Sequence, residues 1–120
     1  MANPNIVNVA NIYGKVVGQA VTTTATAIVT NASASGKVLK INSLTIANVN
    51  GTTAADITAD VYKNQTTAYK IAFTVSVPAD ATLILISKDS SIYLEENDSI
   101  RLTASANSYL EAVCSYEEIS

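Results

Sequence analysis

The chain repeatedly switches between apolar and polar residues one position at a time, in runs of strand length. Tyr69, Ile71, Phe73, Val75 and Val77 alternate with Lys70, Ala72, Thr74 and Ser76. Ile100, Leu102 and Ala104 alternate with Ser99, Arg101 and Thr103. Leu110, Ala112, Cys114 and Tyr116 share a third such face, with Glu111, Ser115 and Glu117 opposite. A period of two turns one face of a strand into a core. By that rule Phe73 is a central core residue and Cys114 is buried beside Leu110 and Ala112. The run Leu83 to Ile86 is apolar at every position, which suggests a strand covered on both faces or a subunit contact.

The rest of the chain reads the same way. Residues 1–10, MANPNIVNVA, are polar apart from Ile6, Val7 and Val9, and Pro4 with the Asn residues disfavours a helix. They read as an extended arm, poorly placed to pack on its own domain and able to cross to a neighbour, with Ile6 and Val9 as anchors. A first strand follows near Ile12 to Ala20, where Gly14 and Gly18 mark bulges or an edge. Val21 to Thr30 is β-prone, and Asn31 to Gly36 is a loop by composition. In Val38 to Val49, Leu39 and Ile41 have one parity and Leu44 and Ile46 the other, so a bulge is expected near Asn42-Ser43. Asn50-Gly51 is a turn signal. Asp56 to Tyr62 then places Ile57, Ala59 and Val61 inside, with Asp56, Asp60 and Tyr62 outside. Ser87 to Ser91 interrupts the chain before Ile92-Tyr93-Leu94, and Glu95 to Asp98 reads as a solvated acidic turn.

These are about eight closely spaced strands with no convincing helix. The expected fold is an all-β, single-domain antiparallel β-sandwich over residues 11–120, jelly-roll-like, with an immunoglobulin-like sandwich as the alternative. The tryptophan and cysteine pair of true immunoglobulin domains is missing. A chain of 120 residues suits one domain and folds without disulfides or metal.

Composition narrows function by exclusion. A net charge of −3 argues against a nucleic-acid partner. No stretch has the length of a membrane-spanning helix, so no membrane partner is expected. The N-terminal sequence has no basic segment followed by an apolar one, so no signal peptide is expected. A single cysteine permits no disulfide within the chain and fits a reducing cytoplasm.

The chain contains no histidine, which removes Ser-His-Asp and Cys-His machinery and the commonest metal ligand. The four glycines are scattered, so there is no phosphate loop. Glu95 to Asp98 lacks the spacing of a calcium loop. No catalytic residue, cofactor or metal is therefore expected. Tyr62, on the polar phase of its strand, and Tyr93, opposed to Ile92 and Leu94, are candidate protein-binding residues, favoured over sugar-stacking platforms.

The stretches KINSLTIANVNGTTAADITADVY (40–62), TVSVPADATLILISKDSSIYLEENDSIRLTAS (74–105) and LEAVCSYEEIS (110–120) resemble a family of small virion structural proteins of tailed bacteriophages, notably those of marine cyanobacteria. The shared features are an "NSL" strand end, an Asn-Gly turn, "AAD", "ISKD" and a terminal "SYEE". The resemblance implies a non-enzymatic virion component, made in the host cytoplasm. It does not itself separate head from tail; the small size, all-β body, extended N-terminal arm and simple polar surface favour a homo-oligomeric head decoration, or cement, protein bound to the major capsid protein. A neck, tail or fibre component is the alternative, and a carbohydrate-binding module for host attachment is a third. Asn97 stands where the family pattern has Gly.

Overall fold

The computed structural model describes residues 3–120, and among them nine β-strands and one short 3-10 turn. The strands are β1 (Ile12–Val21), β2 (Thr26–Thr30), β3 (Val38–Asn48), β4 (Ala55–Lys63), β5 (Thr67–Val77), β6 (Thr82–Ile86), β7 (Ile92–Leu94), β8 (Ser99–Ala104) and β9 (Leu110–Ile119). They form two antiparallel sheets. Sheet A runs β1-β9-β3-β6, with β7 also paired to β3, and sheet B runs β2-β8-β4-β5.

The two orders run in step. Set one above the other, β1 meets β2, β9 meets β8, β3 meets β4 and β6 meets β5. Strands consecutive in the chain thus fall in opposite sheets, except β4–β5 and β6–β7, as when one long hairpin is rolled around a core. This is jelly-roll topology, and it replaces the immunoglobulin-like alternative. Of the consecutive pairs, only β4 and β5 are hydrogen-bonded neighbours.

Alternation explains most of the core. Ile57 and Ala59 of β4, Ile100, Leu102 and Ala104 of β8, and Leu110, Ala112 and Cys114 of β9 are buried. Their polar neighbours in sequence point outward. Strand β3 contributes Leu39 and Ile41 with one parity, then Leu44 and Ile46 with the other. The change falls where the β3–β9 register shifts between Ile41 and Ser43, so the bulge expected near Asn42-Ser43 is there. The same bulge explains the interruption at 87–91. Strand β6 pairs with Leu44–Ala47 and β7 with Leu39–Ile41, one strand broken opposite the irregularity in its partner.

The reading of β5 is corrected. Phe73 is 66% exposed, and Tyr69 and Val75 are exposed as well. Between Ile57↔Val75 and Ala59↔Ala72, β4 advances two residues while β5 advances three. Thr74 absorbs the extra residue at φ 48°, and its N–H donates to Thr58 Oγ1 at 3.1 Å. The inward positions are therefore Ala72 and Val77, an odd number of residues apart, and Phe73 is thrown outward. Of the two readings of β6, cover on both faces by its own chain does not hold, because Ile84 is 63% exposed; an exposed apolar residue there is compatible with the other, a subunit contact. Asn50-Gly51 does turn the chain, but from sheet A into sheet B, with Asn50 Oδ1 accepting the N–H groups of Thr52 and Thr53 at 2.8 Å each.

Candidate interaction surfaces

The loops gather at two ends of the sandwich. At one end the acidic turn meets the β2–β3 loop and the β4–β5 turn. Asp98 is buried there rather than solvated. Its Oδ1 accepts the Asn64 N–H at 2.9 Å, and its Oδ2 accepts the Lys63 ammonium at 2.7 Å and the Glu95 N–H at 3.1 Å. Hydrogen bonding to Asp98 raises the Lys63 pKa above its ordinary value, against the opposing effect of desolvation.

Asn31, also buried, donates from its amide to the Lys37 and Leu94 carbonyls and accepts from Ser35 Oγ. Asn97 takes the left-handed conformation at φ 69°, and its side chain donates to Asn64 Oδ1. Every one of these polar groups holds a loop. Among the described residues no three His, Cys, Asp or Glu side chains are grouped to hold a metal ion.

The N-terminal segment touches this same end, with Ile6 and Val7 left exposed. Met1 and Ala2 fall outside the described residues. Asn3 Nδ2 donates to Glu95 Oε2 at 3.1 Å, and the N–H groups of Ala10 and Asn11 both donate to the Ser120 carbonyl at 2.9 Å. Asn3, Pro4 and Ile6 form one wall of a cleft of about 260 Å3 whose other wall is Val38, Tyr93 and Glu95. Beneath lie Val38 and Ile119, register partners that are both buried yet separate from the main core cluster. They sit on the outer face of sheet A, since the adjacent Leu39 points inward.

Of the four residues singled out as partner-binding, Ile6 and Tyr93 are thus brought together across the cleft. Val9 is half-buried and does not line it. Tyr62 is on the outer face of sheet B, apart from both. The Arg101 guanidinium covers its ring at 3.8 Å from the centroid. Arg101 in turn is held by Asp60, with Nε to Oδ1 at 2.9 Å and Nη2 to Oδ2 at 3.1 Å. Asp60 is on the outer face as expected, but this pairing buries it. Its hydrogen bond raises the Arg101 pKa.

Sequence reasoning missed the apolar edges. Ile12, Tyr13 and Val16 are exposed on β1 at one side of the sandwich, and Tyr69, Phe73 and Ile84 on β5 and β6 at the other. The available signal was Gly14 and Gly18, which marked β1 as an edge. Cys114 is fully buried, and desolvation pushes its thiol up to about 11.

No protein-family model matches this chain, and no curated protein does. Among solved structures it is similar to one described under the words "Bacillus endospore appendages form a novel family of disulfide-linked pili". The TM-score is 0.55 at 14% identity, over 92% of this chain and 87% of that one. At that identity the likeness concerns the fold.

Proposed function

We propose that this chain is a non-enzymatic structural protein of a tailed-phage virion, a head decoration protein that sits on the outside of the capsid lattice in many copies and contacts the major capsid protein. The observation that carries the reading is where the large apolar side chains lie. Ile12, Tyr13, Val16, Tyr69, Phe73 and Ile84 are exposed along the two lateral edges, while the buried polar groups brace loops. Exposed aromatic and aliphatic groups on a rigid frame suit protein contacts. The absence of histidine and the inert, buried thiol support a role without catalysis. The sequence resemblance supplies the virion.

The similar pilus structure favours a second reading, a subunit of a linear fibre. Those pili are disulfide-linked. This chain has one cysteine, fully buried, so a fibre built from it would be held by non-covalent contacts. Sugar binding is the weakest of the three, because Arg101 already occupies one face of Tyr62.

Quantitative mass spectrometry of purified particles tests the proposal. Hundreds of copies per particle are expected for a head protein. A dozen or fewer would move it to the neck or tail, and absence from particles would overturn the virion reading. Filaments formed by the purified protein, seen by electron microscopy, would favour the fibre.

A further inference from the structure

Sheet edges that must stay unpaired are kept short, bulged, charged or interrupted by proline. Three of the four edges here follow that rule. Strands β2 and β6 span five residues each, and β5 carries two register shifts and Thr74 at φ 48°. Strand β1 does not follow it. Its ten residues run in unbroken register with β9, from Ile12↔Ile119 to Val21↔Leu110. It has no proline and one charged residue, Lys15, whose ammonium is 3.3 Å from Glu118. Val16, at its middle, is 70% exposed.

The glycines of β1 are a second, independent observation. Gly14 and Gly18 share the outer face with Val16, and neither has positive φ. A Cβ built on Gly14 meets nothing within 4 Å, and one on Gly18 meets only the Ala112 carbonyl at 3.9 Å. Nothing among the described residues therefore asks for glycine at either place, although glycine weakens a strand. Strand glycines occur at bulges, at tight bends and where a ligand or another backbone approaches closely, and the unbroken β1–β9 register leaves no bulge here.

We infer that β1 is a self-pairing edge: two copies of this chain join through antiparallel β1–β1 pairing about a two-fold axis at Val16, making one continuous sheet across the dimer. The strand is self-complementary in this register. Val16 faces Val16 of the second copy, Gly14 faces its Gly18, and Ile12 faces its Ala20. Lys15 faces Val17, so no like charges oppose. Moving the axis one residue toward the N-terminus would set Lys15 against itself, which is destabilising. An isologous contact of this kind closes on itself and leaves neither β1 edge open. The inference does not depend on where the protein acts, and a monomeric protein in solution would overturn it while leaving the virion reading standing.

Light scattering after gel filtration of the full chain, at tens of micromolar, should give a dimer mass. Val16→Lys and Val16→Glu should each give monomers, because each sets like charges across the axis. Mixed in equal amounts, they should recover the dimer. Ile84→Lys, on the opposite edge, should leave it intact. Val16→Cys should form a disulfide-linked dimer under mild oxidation, while Tyr13→Cys, which faces Gln19 instead of itself, should not. This pair also reads the register if the charged variants fail to fold. A monomeric wild type, a Val16→Lys dimer, or charge variants that do not recover on mixing would each overturn the assignment. A wild type that is monomeric but captures a peptide strand on β1 would assign the edge to a foreign partner instead.

Discussion

The Asp98 carboxylate, fully enclosed, accepts the Lys63 ammonium at 2.7 Å across two turns that lie 35 residues apart in the chain. Asp98 belongs to the β7–β8 connection and Lys63 ends β4, so the contact fixes how one end of the sandwich closes. Asp98→Ala should cost about 1–3 kcal/mol, because the N–H groups of Asn64 and Glu95 lose their acceptor at a part-buried place. Lys63→Met should cost less, about 1 kcal/mol, since the Lys63 side chain is 42% exposed and the enclosed carboxylate keeps the N–H groups of Asn64 and Glu95. Urea melts of the two variants check the ranking. Equal losses would mean that the ion pair, and not the backbone capping, holds the turn.

Phe73→Ala should change stability by less than about 1 kcal/mol, as expected of an exposed side chain without special contacts. Leu44→Ala, in the middle of β3 and fully enclosed, should cost about 2–5 kcal/mol. Chemical denaturation of both decides whether the bulge at Thr74 turns Phe73 outward. A loss of about 3 kcal/mol or more for Phe73→Ala would return it to the core.

The contrast between these two residues shows what the sequence carries. In β4, β8 and β9, alternation alone picks the buried apolar side chains, and the parity change in β3 locates a bulge to within a residue. Strand β5 alternates more cleanly than any of them, yet its face is wrong at Phe73. An inserted residue leaves no trace when the residues on both sides of it are apolar or small. Strand β5 is also an edge, with no further strand in its own sheet to hold the register. Site residues divide similarly. Tyr93 and Ile6 are recognisable as an exposed aromatic and an arm anchor, and the cleft brings them together. Asn31 and Asp98 have no local signature, because burial at those positions depends on loops from distant parts of the chain. Arg101 over Tyr62 is likewise set by the β4–β8 pairing, which no short window contains.

Removing residues 1–10 should leave a folded domain that is less stable. The segment lines the cleft above Val38, and Ala10 donates to the Ser120 carbonyl beside Ile119. Partial exposure of Val38 and Ile119 should cost on the order of 1 kcal/mol, or roughly 4 °C in Tm. Differential scanning calorimetry of the truncated and full chains measures this. An unchanged Tm would mean that the arm contributes nothing to the fold and is free for a neighbour.

Glu118 sets the response to acid. Its carboxylate accepts the Lys37 ammonium at 2.7 Å, with Lys15 at 3.3 Å, and the hydrogen bond to Lys37 holds its pKa below the ordinary 4.5. A carboxylate with a lowered folded-state pKa binds its proton more readily when unfolded. Its contribution is therefore complete above the ordinary value and fades as the pH falls through the lower folded one. Glu118→Gln should be less stable than the wild type near neutral pH, and the gap should close with acidification below about pH 4. Urea midpoints at several pH values give the curve. A gap that persists at the acid end would assign the loss to packing instead of charge.

Cys114 should behave as a core residue and nothing more. It pairs in register with Val17 of β1 and Leu44 of β3, and its side chain is fully enclosed. With the thiol pushed up to about 11, almost none of it is thiolate at neutral pH, and burial shields what there is. A thiol reagent should label the native protein only as fast as the domain opens, and completely within minutes in strong denaturant. Oxidation of the native chain should yield no disulfide-linked dimer. Cys114→Ser should cost about 1–3 kcal/mol, because a hydroxyl placed among Leu44, Leu110 and Ala112 has to find an acceptor there. Rapid labelling in the native state would mean that sheet A opens locally at β9, and the serine variant would then melt close to the wild type.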